Sequence, residues 1–187
     1  MLEDNAVAIN NYVTMQPFKS MQMYPTAHCI GENSKVSFQT ILYGKEKTKM
    51  DVGSRAILEG KGSSAEIISR VVVDDNAEVI ARGHLVGKTE NVKGHLECRG
   101  LILSDNAHMS AIPTLDAYKN NLELSHEAAV GKIAEEQVQY LMARGLNEDE
   151  ATSLIIKGFL SMDIKGLPQE LASRIKRIMD MTLENAL

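Results

Sequence analysis

An internal repeat is the feature that most constrains how this chain can fold. The segment VDDNAEV at 73–79 recurs as LSDNAHM at 103–109, a constant offset of 30 positions, and a looser copy, ENSKV, occupies 32–36. Repeats of this length are typical of stacked units, each of which buries its apolar side chains against the next unit. Asp75 and Asp105 are then turn residues whose side chains hydrogen-bond local backbone, and they should occupy equivalent corners of successive coils.

The region around the repeat has the pattern of short strands. Between residues 36 and 124, β-prone runs alternate with clusters of Gly, Asn, Asp and Ser, and only 4% of the chain is aromatic, as suits a narrow solenoid. A β-sandwich also has short strands at regular spacing, so this pattern favours the two architectures about equally. We expect a β core over residues 31–126, preceded by an irregular arm over residues 1–30, which shows no sustained period.

Residues 127–187 are predicted to form a small helical domain. One helix should run from Lys132 to Arg144 and end at Gly145, a second should begin at Asn147 with Glu150 completing its cap, and a third should begin near Pro168. Three short helices cannot bury their apolar stripes alone, so they must pack on the β core, on each other or on a partner. These stripes are Ala151, Leu154, Ile155 and Phe159 in the second helix, and Leu171, Ile175, Ile178, Met179 and Leu183 in the third.

Composition excludes several classes of function. Acidic residues number 25 against 20 basic ones, a net charge of −5, so there is no basic excess for binding nucleic acid. The apolar runs are too short to span a bilayer, and two cysteines with no secretory start fit a reducing, cytoplasmic setting without a disulfide. No Walker-type loop is present for ATP hydrolysis, and no carboxylate pair supports a β-helical enzyme acting on sugars.

The stretch LSHEAAVGKI at 124–133 resembles the C-terminal signature of the SufB/SufD family, the scaffolds of iron–sulfur cluster assembly in the SUF system. The resemblance continues in order through EEQ at 135–137, YL at 140–141, RGL at 144–146, EA at 150–151 and GFL at 158–160, and Pro113 and Leu115 match an upstream family run. It implies a mainly β fold, a right-handed parallel β-helix core with a small C-terminal α-helical domain. The sandwich becomes the less favoured alternative.

The resemblance also implies a site for a transient iron–sulfur cluster or iron. Cys98 matches the cysteine that SufB-type members use to hold nascent cluster or sulfur, His126 matches the family's interface histidine, and Glu127 matches a SufB-like glutamate. The offset of 28 between Cys98 and His126 has the parity of the repeat, so both can lie on one face of neighbouring coils. One chain offers too few soft ligands to close a cluster site, whereas a dimer offers twice as many.

The other cysteine and histidines are predicted to have structural roles. Cys29 follows His28 in an extended segment, where neighbouring side chains point to opposite sides, so the pair should not chelate one ion. His84, His95 and His108 show no metal-ligand spacing with a cysteine and are expected at turn or surface positions.

Two partners follow from the resemblance. Family members pair through their β-helices and dock a SufC-type ATPase through their C-terminal helices, so we expect a self or SufB/SufD-like partner and a docking surface formed by Leu154, Ile155, Phe159 and Leu160, with Met162 beside them. The predicted function is a non-enzymatic assembly scaffold; the alternative is a structural subunit that stabilises the ATPase complex without holding a cluster. Typical family chains are longer, so sites in their additional regions cannot be transferred.

Overall fold

The chain folds as a parallel β-solenoid followed by helices. The structure is a computed structural model that describes residues 1–15, 18–161, 166 and 168–184. The strands are β1 (Val7–Thr14), β2 (Ser20–Met23), β3 (Thr26–Cys29), β4 (Lys35–Gly44), β5 (Lys49–Leu58), β6 (Ser64–Val73), β7 (Glu78–Gly87), β8 (Lys93–Ile102), β9 (His108–Ala117) and β10 (Glu123–Lys132); the helices are α1 (Glu135–Met142), α2 (Glu148–Leu160) and α3 (Gln169–Glu184).

The strands form two sheets. Sheet 1 has the order β1-β4-β6-β8-β10 and sheet 2 the order β2-β5-β7-β9, with β3 also pairing with β5. Every pairing between these strands is parallel, and the first residues of the sheet 1 strands pair as Val7 with Lys35, Lys35 with Ser64, Ser64 with Lys93, and Lys93 with Glu123. The chain thus returns to sheet 1 after 28, 29, 29 and 30 residues, which confirms the solenoid and rules out the antiparallel sandwich.

The corners of the coils repeat as the sequence indicated. Asp75 and Asp105 lie in equivalent turns, since the amide of Ala77 donates to the Asp74 carbonyl at 3.0 Å and that of Ala107 to the Ser104 carbonyl at 3.4 Å. Their side chains do not bond local backbone as predicted: Asp75 Oδ2 accepts from the Glu46 amide at 2.9 Å, and Asp105 pairs with Lys132. A second series of corners has the left-handed backbone that Asn and Gly tolerate. Its members are Asn5, Asn33, Gly62, Asn91 and Asn121, with φ between 55° and 73°. The side-chain Nδ2 of Asn121 donates to Asn91 Oδ1 at 2.8 Å.

The first 30 residues are not an irregular arm. They carry three strands, and β1 pairs with β4 over its whole length, from Val7 to Thr14. This coil turns Ala8, Met21 and Met23 toward its interior, while Val7 and Ile9 on β1 are exposed, so its interior row lacks the β-branched residues that mark later strands. The helical region also starts later than residue 127, because β10 stays in register with β8 as far as Lys132.

The helices cover part of the outer face of sheet 1. In α2, Ile156 and Leu160 are fully buried in a cluster with Ile41, Tyr43 and Val72. The predicted cap is confirmed, since the Glu150 amide donates to Asn147 Oδ1 at 2.8 Å and the Asn147 amide to Glu150 Oε2 at 2.9 Å.

The first helix is shorter than the predicted Lys132 to Arg144, because Lys132 belongs to β10 and α1 runs from Glu135 to Met142. Gly145, after α1, takes a φ of 101°, and Pro168 precedes α3 as expected. Met162 and the side chains of Met179 and Leu183 lie outside the described part of the chain. Within that part, no helix is long and apolar enough to cross a membrane.

Candidate functional site

Cys98 and His126 lie on adjacent strands of sheet 1 and on the same side of it. Cys98 pairs with Ala128, and His126, two residues earlier on β10, pairs with Leu96. Leu96 and Cys98 both belong to the solenoid interior. Diagonal neighbours of this kind have Cα atoms ~8 Å apart. The shared face that the spacing predicted is therefore present.

This pair lies at the C-terminal end of the solenoid. β10 is the last strand of sheet 1 among the described residues, and β8 is its neighbour in that sheet. His126 and Ala128 are exposed on β10, and Val130 is 41% exposed although it continues the interior row. The register places one small residue, Ala128, between Cys98 and the end of the sheet. A second molecule bound at this end would lie next to His126 and one strand away from the thiol.

The Cys98 thiol is held in its protonated form. The side chain is 4% exposed, and burial raises its pKa to about 11; nearby Glu97 acts in the same direction and Arg70 opposes it. At pH 7 a thiol with this pKa has ~0.01% thiolate. Because thiolate is the form that binds metals and attacks sulfur, a metal ion or sulfur atom bound at Cys98 would have to displace this proton.

Glu127 lies on the opposite face of sheet 1. It pairs with Glu97 on the outer side, where Arg99 Nη2 lies 3.9 Å from Glu127 Oε2 and Arg99 Nε lies 2.9 Å from Glu97 Oε1. Arg70 forms a further ion pair with Glu97. Among the described residues no group of three or more His, Cys, Asp or Glu side chains is placed to hold a metal ion. One chain thus presents a thiol and an imidazole together, with the carboxylate apart.

Cys29 and the other histidines occupy structural positions. Cys29 is fully buried in the first coil, whereas the His28 side chain points outward, with Nδ1 3.3 Å from Glu59 Oε2. His84 Nε2 lies 2.8 Å from Asp116 Oδ2, and His95 Nδ1 lies 3.0 Å from Ser125 Oγ. His84, His95 and His108 are on strands, facing outward, and so at surface positions rather than in turns.

The predicted docking residues separate into exposed and buried members. Leu154 is 49% exposed, Ile155 and Phe159 are half-buried, and Leu160 is fully buried against sheet 1. Leu160 therefore belongs to the core and not to a free surface. Tyr140 and Met142, which were not among the predicted docking residues, are also exposed, on α1. Which of these side chains are exposed depends on which face of α2 packs on sheet 1. The spacing of apolar residues in the sequence does not show which face that is.

The sequence that builds these coils and helices matches that of a known protein family. Residues 2–159 match the family model described as SUF system FeS cluster assembly, SufBD core domain. The chain belongs to the SufBD family. This match covers the solenoid, the Cys98 and His126 pair and nearly all of α2.

Similar proteins are described as iron–sulfur cluster assembly SufBD family proteins. One from Methanothermobacter thermautotrophicus is 58% identical over 184 residues, 98% of this chain and 45% of the relative. One from Archaeoglobus fulgidus is 47% identical over 180 residues, and one from Pyrococcus horikoshii 39% over 179, each over 96% of this chain and over 48% and 40% of the relative. The SufBD chain thus spans about half the length of these curated relatives.

The buried thiol makes a prediction for stability at alkaline pH. The pKa of Cys98 is about 11 in the folded state, above its ordinary value of 9.0. The contribution of the neutral thiol to the unfolding free energy is therefore fully present below pH 9 and is lost as the pH rises through 11. The expected loss is about 3 kcal/mol at full ionisation. We expect the unfolding free energy in urea to fall more steeply between pH 8.5 and 11 in the native chain than in Cys98→Ala, and parallel curves would contradict this.

Proposed function

We propose that the SufBD chain is a non-enzymatic scaffold on which iron and sulfide are assembled into a cluster that is its cargo. The observation that carries this proposal is the placement of Cys98 and His126 side by side at the exposed end of the solenoid. Thiolate sulfur and imidazole nitrogen are ligands that suit iron. Family membership supplies the context of iron–sulfur cluster assembly.

A pair of chains joined through β10 would complete the ligand set. β10 has a free edge within the described structure, and free strand edges are sites at which a second chain adds by backbone hydrogen bonding. Val130, exposed at this end, supplies apolar surface for the contact. Two such chains, identical or SufB/SufD-like, would bring two thiols and two imidazoles to one interface, with Glu127 near its outer margin.

Pairing through β10 predicts that a charge at Val130 dissociates the dimer. Val130→Asp would bury an unpaired carboxylate in the contact, which is costly, so we expect monomers at ~10 µM where the native chain is dimeric. Ile112, 40% exposed on the outer face of β9, is the matched control, and Ile112→Asp should remain dimeric. The measurement is light scattering after size exclusion; a native monomer, or a Val130→Asp dimer, would contradict pairing by this edge.

The helical region would then bind the second partner, a SufC-type ATPase in the same cytoplasmic assembly. Tyr140, Met142 and Leu154 expose apolar side chains on α1 and α2, and such groups serve as anchors when helices bind in a groove. The partner would hydrolyse the ATP whose free energy drives cluster assembly, because the SufBD chain has no phosphate-binding loop of the Walker type.

Anaerobic reconstitution tests the scaffold function directly. The native chain, mixed with ferrous iron and sulfide and then desalted, should retain visible absorbance from a bound cluster. The alternative function, a structural subunit that stabilises the ATPase complex, predicts ATPase binding with no retained absorbance. That result would overturn the scaffold proposal while leaving the docking surface intact.

A further inference from the structure

The open end of the solenoid carries a methionine whose sulfur faces the strand of Cys98. Met109 is the second residue of β9, which is the last strand of sheet 2 among the described residues. Its partly buried side chain packs against the core cluster that contains Cys98. Since β9 follows β8 in the same coil, Met109 lies at the level of Cys98 along the solenoid, and no described strand of sheet 2 covers it.

A glycine on the facing strand makes room for this sulfur. A Cβ atom at Gly100 of β8 would lie only 2.0 Å from Met109 Sδ and 2.7 Å from Met109 Cε. The thioether therefore lies over the backbone of β8, in space that any other side chain at position 100 would fill. Gly100 is two residues from Cys98, on the same face of the strand and ~7 Å along it. From this place the methionine can reach the thiol by rotation about its own side-chain bonds.

His126 lies on the other side of the thiol. It pairs with Leu96, two residues before Cys98 on β8, whereas Gly100 is two residues after Cys98. The residue that pairs with Cys98 itself is Ala128, whose small side chain leaves space beside the thiol at the end of the sheet. A thiol, a thioether and an imidazole thus surround one position in the last coil.

This set of donors suits a soft, monovalent metal ion. Thiolate and thioether sulfurs favour soft ions such as Cu(I). Of the three donors only the thiol can become an anion, and the adjacent carboxylates, Glu97 and Glu127, lie on the opposite face of sheet 1. Cu(I) on one thiolate is neutral, whereas Zn(II) would leave a positive charge in an apolar interior, which is costly.

We propose that the open end of the solenoid binds one Cu(I) ion through the Cys98 thiolate, the Met109 thioether and the His126 imidazole. The ion displaces the thiol proton, which passes to water, and the oxidation state of copper does not change. The site shares Cys98 and His126 with the proposed cluster site. It differs in its third donor and in needing no second chain.

Competition with a chromophoric chelator measures this site. The Cys29→Ala chain, in which Cys98 is the remaining thiol, is titrated anaerobically into the Cu(I)–bicinchoninate complex, whose absorbance falls as the protein removes copper. We expect one Cu(I) per chain. Adding Met109→Leu keeps the side-chain volume but removes the sulfur, so binding should weaken at least about tenfold. Gly100→Ala should weaken it to a similar extent, because its Cβ takes the place of the sulfur.

Met23→Leu is the matched control, because it removes a thioether that packs against the same core cluster from the first coil. It should bind Cu(I) as its Cys29→Ala parent does, and Zn(II) should not be retained after desalting. The proposal is overturned by undiminished affinity in Met109→Leu, by equal weakening in Met23→Leu, or by Zn(II) bound as tightly as Cu(I).

Reconstitution of Met109→Leu with iron and sulfide separates this site from the scaffold function. The variant should retain the absorbance of the native chain, because iron–sulfur clusters are held by thiolates and imidazoles rather than by thioethers. Loss of cluster and copper together would show that Met109 only shapes the end of the solenoid, and would overturn the copper site. A native chain that binds Cu(I) and retains no cluster would support the copper site and overturn the scaffold function alone.

Discussion

Replacing Cys98 with serine is expected to abolish retention of the reconstituted cluster. Serine presents a hard hydroxyl, with a pKa far above that of a thiol, in place of the soft ligand that iron–sulfur clusters require. The other cysteine, Cys29, is buried in the first coil and in a separate core cluster, so it cannot substitute. The measurement is the visible absorbance per chain after anaerobic loading and desalting, which should fall to the background.

Two further variants keep this test independent of folding. Cys29→Ala removes the second thiol at a fully buried position and should retain the native absorbance per folded chain. Cys98→Ser puts a hydroxyl into a nearly dry interior, so its melting must be recorded alongside. His126→Ala changes an exposed side chain and should lower retention without changing the melting temperature. Native absorbance in Cys98→Ser would remove Cys98 from the site.

The repeat was compatible with a solenoid and with a sandwich, and the family resemblance decided between them; the structure shows why the repeat has its period. Each coil must return to sheet 1 in register, and the 28 to 30 residues between paired strands are the distance at which the Asp-Asn-Ala turn recurs. The first coil was missed because the same geometry can be built from Ala, Asn and Met. β10 was cut short for a different reason: its end, Ala128-Ala129-Val130-Gly131, lacks strand propensity, and pairing with β8 overrides that preference.

The sequence spacing could predict only which face of the sheet each residue of the candidate site lies on. Cys98 on β8 pairs with Ala128 on β10, 30 residues later. His126 is two residues before Ala128 on the same strand, so its side chain lies on the same face of the sheet as Cys98. The same parity places Glu127 outside, so the resemblance supplied that residue and the spacing did not. The depth of Cys98, and hence its raised pKa, depends on packing from both sheets and has no local signal.

The burial of Leu160 and the exposure of Leu154 change which residues the proposed docking surface can contain. Substitutions at these two leucines should therefore have separate effects. Leu154→Asp should weaken binding of a SufC-type ATPase by about 30-fold or more, the cost of losing an interface anchor, while the melting temperature stays within about 2 °C. Leu160→Ala should lower the melting temperature by about 4–20 °C, because it opens a cavity between α2 and sheet 1. Phe159 is half-buried against the same cluster and cannot separate the two roles.

Calorimetric titration of the ATPase into each folded variant measures the first effect, and thermal melting measures the second. Leu171, 44% exposed on α3, is the matched control for a new charge on an apolar helical position. If Leu154 is an anchor, Leu171→Asp leaves the affinity within about threefold of the native value, since most surface changes away from an anchor cost little. Unchanged affinity in Leu154→Asp would remove α2 from the interface. Equal weakening by both aspartates would show that added charge, and not the loss of a specific contact, opposes the ATPase.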